Sequence, residues 1–174
     1  MSITVRPRRQ ADLPSLAQLL LAVHEADNYP TRLPPDPIAW LASPRIEQAL
    51  VAERGGLVGH VSLASPAGDH AEQLWRQALG DEEMVVIKRL FVDPAHRREA
   101  IGRRLLEEAV SRAHSAGARP VLDVDAHSAG ANHLYLAAGF EAVGELELVW
   151  SGEEEPFLAR CYIGPPPAGA TGRR

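Results

Sequence analysis

The chain has 174 residues, of which 45% are hydrophobic and 24% are charged, and it carries a formal net charge of -5. This length and composition are typical of one globular domain and exclude a globally disordered chain. The acidic balance offers no basic footprint for nucleic acid, so we expect a small molecule or a peptide as the partner.

The cysteine content and the first residues bear on the compartment. Cys161 is the only cysteine, so an internal disulfide is excluded, and a small buried strand residue is favoured over a reactive thiol. Residues 1–7 lack the apolar core of a secretory signal, and no window of the sequence has the length and apolarity of a membrane span. We therefore expect a cytoplasmic protein without a membrane partner.

The first half of the chain predicts a strand, a helix and a hairpin. Residues 3–6 form a β-branched run before a proline, as in an edge strand. Asp12 as N-cap and leucines at helical spacing predict a helix over about residues 13–25. Residues 49–53 and 57–64 flank a glycine-containing turn and predict an antiparallel hairpin.

A proline-rich loop lies between this helix and the hairpin. The four prolines Pro30, Pro34, Pro35 and Pro37 forbid regular structure in this loop, and a short apolar segment over residues 38–41 follows. Tyr29 and Trp40 either wall a substrate pocket or belong to a stiff connector with a core-anchoring tryptophan.

The second half predicts alternating strands and helices. Residues 84–92 are almost continuously apolar, as in a central strand, and a helix that begins near Ile101 follows and stops at Gly117. Residues 120–125 predict a strand parallel to the first one across a right-handed crossover. A short helix and two last strands complete the pattern, over residues 128–138, 140–150 and 155–163, with a turn at residues 151–153.

Two segments stand apart from this pattern. Residues 65–80, with a short helix over residues 70–79, either cover the substrate side or decorate the periphery. The proline- and glycine-rich tail at residues 165–174 has nothing to bury, and we expect it to be disordered. The remaining residues, 1–164, are predicted to form a single domain.

The stretch from Val92 to Leu106 carries the clearest chemical signal. An apolar run stops, a basic turn of small residues follows, and an amphipathic segment begins, which predicts strand, loop and helix. Unpaired backbone N–H groups at the start of a helix attract phosphate together with the helix dipole. The sequence therefore predicts an anion pocket at this junction.

The loop also has a recognisable pattern. Val92-x-Pro94 followed by Arg97-x-x-Ala100-x-Gly102 resembles the acyl-CoA pyrophosphate loop of the GCN5-related N-acetyltransferase (GNAT) family, normally Arg/Gln-x-x-Gly-x-Gly/Ala. Ala100 stands where the first glycine is usual. We expect an ordinary helical φ at Ala100, since a left-handed φ would add strain on the order of 1 kcal/mol.

A second stretch is similar to the same family. Leu122-x-Val124 is followed by Ala131-x-x-Leu134-Tyr135 and then by Gly139-Phe140, in the family's order and at its usual separation. Ser128 stands where an asparagine is usual, and Asn132, one turn away, is the expected substitute. Together the two stretches cover about the central third of the chain.

The resemblance implies an α+β fold in three layers. Its mixed, mostly antiparallel sheet of about seven strands is flanked by helices and splays between strands four and five, with acetyl-CoA in the gap. Backbone groups near Leu90 and Val92 would meet the pantetheine arm, and amides from Arg98 to Arg103 would cradle the pyrophosphate. The residues implied to bind acetyl-CoA are Leu90, Phe91, Val92, Arg97, Arg98, Glu99, Ala100, Ile101, Gly102, Arg103, Ser128, Asn132 and Tyr135.

The resemblance also implies a catalytic role for Tyr135. It matches the family's acid, whose phenol donates a hydrogen bond to the leaving CoA sulfur. Glu83 is the predicted base, but the assignment is by location only, and a water chain to solvent would also serve. The other candidates by location are Glu82, His60, Asp123 and Asp125.

These residues predict an enzyme that transfers an acetyl group from acetyl-CoA to a primary amine of a small molecule or peptide, by direct attack in a ternary complex. A noncatalytic acyl-CoA sensor is the alternative. A Rossmann dinucleotide site needs more glycines than Gly102 alone, and the spacing of the histidines predicts no metal site. Dimerisation is common in proteins of this family, and the C-terminal strands offer an interface for a homodimer.

Overall fold

The computed structural model describes residues 2–149 and 155–169. The strands are β1 (Thr4–Pro7), β2 (Ile46–Glu53), β3 (Leu57–Ala64), β4 (Met84–Val92), β5 (Arg119–Asp125), β6 (Glu141–Leu148) and β7 (Phe157–Ile163). The helices are α1 (Leu13–Asp27), α2 (Pro37–Leu41), α3 (Glu72–Leu79), α4 (Ile101–Ser115) and α5 (Ala129–Ala137).

Within the described residues, seven strands share one sheet in the order β1-β2-β3-β4-β5-β7-β6. β4 and β5 run parallel, and their register pairs Met84–Val86 with Arg119–Val121. The pairs β1–β2, β2–β3, β5–β7 and β6–β7 are antiparallel. The predicted mixed, mostly antiparallel seven-stranded sheet is therefore confirmed.

One local prediction was wrong. The Asp12 side chain does not cap α1. Its two carboxylate oxygens instead accept from the Arg6 guanidinium at 2.8 and 2.9 Å, and Oδ2 also accepts from the Arg9 amide at 2.6 Å. The hydrogen bonds from Arg6 hold the pKa of Asp12 at about 2. This bidentate pair outcompetes capping because both of its partners are charged.

The described chain divides into two compact units. The first contains residues 2–64 and 87–109, and the second contains residues 65–86, 110–149 and 155–169. The single domain over residues 1–164 stays a prediction.

The first unit is built around the apolar face of α1. The α1 side chains at helical spacing are buried against residues of α2, β2 and β4, which are Leu41, Val51 and Phe91. Tyr29 and Trp40 are partly buried and pack against the same core. Burying a leucine-rich stripe contributes about 1.5 to 3 kcal/mol for each side chain, which fixes α1 on the sheet.

The core of the second unit contains the segment between β3 and β4. Trp75 and Leu79 of α3 are buried against the start of β4 and against β5 and β7, and Leu74 is partly buried there. Residues 65–80 thus contribute to a hydrophobic core.

Cys161 in β7 is fully buried in this second core. Burial, with the charges of Asp123, Asp69 and Glu145, raises the pKa of its thiol to about 12. A thiol that stays protonated at neutral pH is a poor nucleophile, in agreement with the predicted packing role.

Parts of three sequence predictions lie outside the described residues: Met1, residues 150–154 with the predicted turn at residues 151–153, and residues 170–174 of the predicted disordered tail. Residues 165–169 carry no helix or strand. None of the described helices combines the length and the apolarity needed to cross a bilayer.

Candidate functional site

The predicted anion loop is the connection between β4 and α4. The Asp93 amide donates to the Val58 carbonyl at 2.9 Å, and the Asp93 side chain accepts from the Ala95 amide at 2.9 Å. After this turn the backbone enters the left-handed region twice, at Arg98 with φ 63° and at Ala100 with φ 59°. A left-handed residue followed by a helix turns successive N–H groups toward one concave space, which suits an anion.

The expected helical φ at Ala100 was wrong. The Ala100 carbonyl accepts from the Arg104 amide at 3.0 Å, so Ala100 is the residue immediately before α4. A residue in this position has a non-helical backbone, since the chain has to turn into the helix axis there. Glycine adopts the required φ without strain, which explains the family's preference for glycine.

Replacing Ala100 with glycine should stabilise the protein. An L residue in the left-handed region costs about 1 to 2 kcal/mol, and glycine removes most of this cost but adds backbone entropy to the unfolded chain. We expect Ala100→Gly to raise the free energy of unfolding by about 1 kcal/mol, measured by urea denaturation.

Ala95→Gly in the same loop is the matched control, because Ala95 is not among the residues with positive φ. It should lower the free energy of unfolding by about 0.5 kcal/mol. A destabilised Ala100→Gly protein would contradict the strain at this position.

The loop arginines differ in their partners. Arg97 forms an ion pair with Asp27 at the end of α1, and Arg103 pairs with Glu107 on the exposed face of α4 at 2.7 Å. Arg98 has no ion-pair partner within residues 2–149 and 155–169. Of the three loop arginines implied to bind acetyl-CoA, Arg98 therefore has the guanidinium that is available without breaking another contact.

Glu99 would place a negative charge in an anion loop, but its carboxylate is neutralised. It pairs with the Arg54 guanidinium and lies 3.4 Å from His96 Nδ1. The ion pair with Arg54 therefore reduces repulsion between Glu99 and a bound anion.

Close packing positions the start of α4 on the sheet. A Cβ atom on Gly59 of β3 would lie 2.8 Å from Leu105 Cδ1 and 3.2 Å from both Ile101 Cγ2 and the Phe91 carbonyl oxygen. A side chain at this position would require Leu105, Ile101 and the Phe91 carbonyl to shift. The first turn of α4, with its unpaired amides, is thereby held against the first unit's sheet.

The strand that leads into the loop is distorted at Arg89, whose φ is 56°. Two fully buried polar residues of β3 face this distortion. His60 Nδ1 donates to the Arg89 carbonyl at 2.8 Å, and Ser62 Oγ donates to the Lys88 carbonyl at 2.9 Å. A distortion of this kind in a strand re-aims its side chains, here that of Arg89.

His60 was a candidate base, and both of its ring nitrogens form hydrogen bonds within the protein. Its Nε2 accepts from the Arg8 guanidinium at 3.1 Å, because a guanidinium can only donate. Its ring stacks on Phe91 with centroids 5.1 Å apart. Burial lowers the pKa of His60 to about 3, and both ring nitrogens are occupied by protein partners. A structural role is therefore favoured over proton abstraction.

The buried neutral His60 predicts loss of stability in mild acid. The unfolded chain protonates the imidazole near its usual value of 6.5, whereas the folded state does so only near 3. The stability that the folded state gains from a neutral His60 is fully present above pH 6.5 and is lost as the pH falls toward 3. We expect wild type to lose about 2 kcal/mol more than His60→Gln between pH 7.5 and 5.0, measured by urea unfolding. Equal losses in the two proteins would contradict a neutral His60.

Tyr135, the predicted acid, lies on α5 in the second unit. It is 8% exposed, and its ring centroid lies 5.9 Å from that of Phe140 and 6.0 Å from that of Tyr162. Aromatic packing therefore holds the ring from two sides. Its catalytic role stays a prediction.

Asn132, also on α5, is buried, and its side chain makes four hydrogen bonds within the protein. Its Nδ2 donates to the carbonyls of Asp125 at 2.9 Å and Ser128 at 2.7 Å. Its Oδ1 accepts from the Tyr162 hydroxyl at 2.6 Å and from Arg160 at 3.4 Å. The residue thus ties α5 to the end of β5 and to β7. The predicted cofactor contacts of Asn132 and Ser128 stay predictions, and Ser128 makes no side-chain cap.

The predicted base and the other acidic candidates occupy different places. Glu83 is exposed and precedes β4, at the end of that strand opposite to Leu90–Val92, and its carbonyl accepts from the Arg119 amide at 2.7 Å. Asp125 accepts from the His127 amide at 2.9 Å. The assignment of Glu83 as the base stays a prediction.

Three groups with metal-binding atoms lie together in the second unit, although the histidine spacing had predicted no site. Ligand atoms of Asp69, His70 and Asp123 lie within 4.8 Å of one another. His70 Nε2 hydrogen-bonds to Asp123 Oδ2 at 3.0 Å, and Asp69 Oδ1 accepts from the Ala71 amide at 3.1 Å. These contacts describe a polar tie between the segment before α3 and β5.

Comparisons with known proteins identify the class of protein to which this fold and this loop belong. The model of the acetyltransferase (GNAT) family matches residues 13–140. The chain belongs to this family, and the resemblance inferred from the two sequence stretches is confirmed. Comparison with curated protein sequences gave no significant match.

Solved structures share the fold at low identity. The ribosomal-protein-S18-alanine N-acetyltransferase of Escherichia coli has a TM-score of 0.71 at 18% identity, over 99% of this chain and 100% of that one. NAA60 of Arabidopsis thaliana, in complex with acetyl-CoA, has a TM-score of 0.72 at 22% identity, with 93% and 97% covered. The yncA protein of Salmonella typhimurium, with its cofactor acetyl-CoA, has a TM-score of 0.68 at 20% identity, with 95% and 94% covered.

Proposed function

We propose that the protein is an N-acetyltransferase that moves the acetyl group of acetyl-CoA to a primary amine of a small molecule or peptide. Membership of the acetyltransferase family supports the class of reaction. The observation that carries the proposal is the left-handed Ala100 immediately before α4, at the place of the family's first loop glycine.

The backbone of the loop is suited to a pyrophosphate group. The amides from Arg98 to Arg103 include the first turn of a 15-residue helix, where N–H groups lack acceptors within the helix. The helix dipole adds partial positive charge at the same place, and Arg98 adds a full one. In this proposal the backbone groups of Leu90 and Val92 bind the amide-containing arm of the coenzyme.

The chemistry needs two proton movements. Acetyl-CoA supplies an activated thioester whose carbon–sulfur bond breaks as the amine nitrogen forms a bond to the carbonyl carbon. Tyr135 gives its phenolic proton to the departing sulfur and so prevents the release of a free thiolate. The proton lost by the amine passes to a base, for which Glu83 is the sequence-based candidate, or to water.

A screen of amine acceptors tests the proposal. Purified protein is incubated with acetyl-CoA and amino acids, polyamines or short peptides, and release of the CoA thiol is followed together with the mass of the acetylated product. We expect release that depends on one class of amine. Binding of acetyl-CoA in a parallel titration without turnover of any amine would instead indicate a noncatalytic sensor.

A further inference from the structure

A group of basic and aromatic side chains lies in the first unit, next to residues 90–92 of β4. In the proposed function, the backbone of these residues binds the coenzyme. The Arg89 guanidinium lies 4.4 Å from the centroid of the Trp40 ring, in a cation–π contact. The Tyr29 ring lies 6.4 Å from that of Phe91. The sequence had left a pocket wall and a stiff connector with a core-anchoring tryptophan as alternatives. Both rings are partly buried against the core, and Trp40 also contacts Arg89.

Arg89 is half-buried, and no acidic side chain of the described residues pairs with it. Within residues 2–149 and 155–169, its guanidinium makes neither an ion pair nor a hydrogen bond to a carbonyl. Burial lowers the pKa of Arg89, Tyr29 raises it, and the charges of Arg8 and Arg45 lower it further. A half-buried cation with only an aromatic face as partner retains donors for an incoming anion.

Arg8 adds a second half-buried cation to the group. Its guanidinium donates to the Leu41 carbonyl at 2.6 Å and to His60 Nε2, and neither partner neutralises its charge. Burial lowers the pKa of Arg8 and the charge of Asp12 raises it, so the positive charge of this group is only partly offset, although the chain as a whole carries a net charge of -5. Sequence reasoning missed this group, and the only local signal was the pair Lys88-Arg89 inside an otherwise apolar strand.

Arg89 lies next to the residues that bind the coenzyme in the proposed function. It precedes Leu90 directly, and its backbone distortion is supported by the bond from His60 Nδ1 to its carbonyl. A guanidinium that the surrounding structure holds in one orientation is typical of a residue that orients a ligand.

We infer that Arg89, assisted by the charge of Arg8, binds a carboxylate of the acceptor, so the substrate is a small amino acid whose amine receives the acetyl group. This inference rests on the proposed function and names its substrate class. The guanidinium fork pairs with a carboxylate through two parallel hydrogen bonds, and the rings of Trp40 and Tyr29 enclose the rest of the molecule.

The test compares acids with their amides. The twenty amino acids, their primary amides and peptides with amidated C-termini are offered with acetyl-CoA to wild type, Arg89→Gln and Arg89→Lys, and kcat and KM are measured by thiol release. Wild type should prefer the best acid over its amide by about tenfold or more. Arg89→Gln should raise the KM for that acid by about tenfold or more with a smaller change in kcat, and it should raise the KM for the matching amide by much less. The KM of Arg89→Lys for the acid should lie between those of wild type and Arg89→Gln.

Arg9→Gln is the matched control, because it removes the same charge from an exposed side chain next to Arg8 in sequence. It should retain the preference for acids. Equal turnover of acids and amides by wild type, or an equal loss for both in Arg89→Gln, would overturn the inference while leaving acetyl transfer intact. If no acceptor releases thiol, the proposed function itself fails, and this inference fails with it.

Discussion

Tyr135→Phe should lower kcat by about 100-fold or more and change the KM for acetyl-CoA by less than about threefold. The substitution removes one hydroxyl and retains the ring, which packs between Phe140 and Tyr162. The protein should therefore fold normally and bind the coenzyme but lose the proton donor for the departing sulfur. Steady-state thiol release with the best amine from the screen measures both constants.

Tyr162→Phe is the matched control for this change. Tyr162 is a buried tyrosine in the same unit, but its hydroxyl donates to Asn132 at 2.6 Å. Its removal should lower the free energy of unfolding by about 1 kcal/mol and leave kcat within about threefold of wild type. An unchanged kcat in Tyr135→Phe would contradict the role of Tyr135 as the acid. An equal loss of kcat in Tyr135→Phe and Tyr162→Phe would instead attribute the loss to altered packing.

Asn132→Ala should lower the free energy of unfolding by about 3 kcal/mol. The change removes hydrogen bonds to the carbonyls of Asp125 and Ser128 and leaves the buried Tyr162 hydroxyl without its acceptor. Each buried group without a partner costs about 1 to 3 kcal/mol, so the sum is large for a single side chain. Urea unfolding at neutral pH measures it.

His133→Ala provides the comparison, since His133 is exposed on the same helix and should cost less than about 0.5 kcal/mol. The affinity for acetyl-CoA is measured in both variants. A stable Asn132→Ala protein that binds the coenzyme weakly would support the sequence-based assignment of Asn132 to the cofactor site. A destabilised protein with little change in affinity would support the structural role.

Local pattern was sufficient for most of the elements. Residues 84–92 were predicted as a strand with the observed bounds, because a continuous apolar run can only be buried in the middle of a sheet. The left-handed glycines Gly117 and Gly139 follow α4 and α5, as glycine does at helix ends. The parallel pairing of β4 and β5 followed from the intervening helix.

Side chains with competing partners were predicted less well. Asp12 is a good capping residue by its type, but Arg6 of β1, which also binds Glu53 of β2, takes the Asp12 carboxylate. Ala100 has a high helix propensity, yet its backbone is left-handed at the residue before α4. In both cases a geometric demand from outside the local sequence outweighed the preference of the residue.

The sequence by itself determined the family, the order of strands and helices, and the loop that precedes α4, since periodicity and motif spacing are local properties of the chain. Only the tertiary structure decided that Arg8, His60 and Arg89 meet around one distorted strand, and that Asn132 is occupied by four hydrogen bonds. Four of these six contacts join residues 28 to 52 positions apart, and they depend on strand register and packing, which no local pattern encodes.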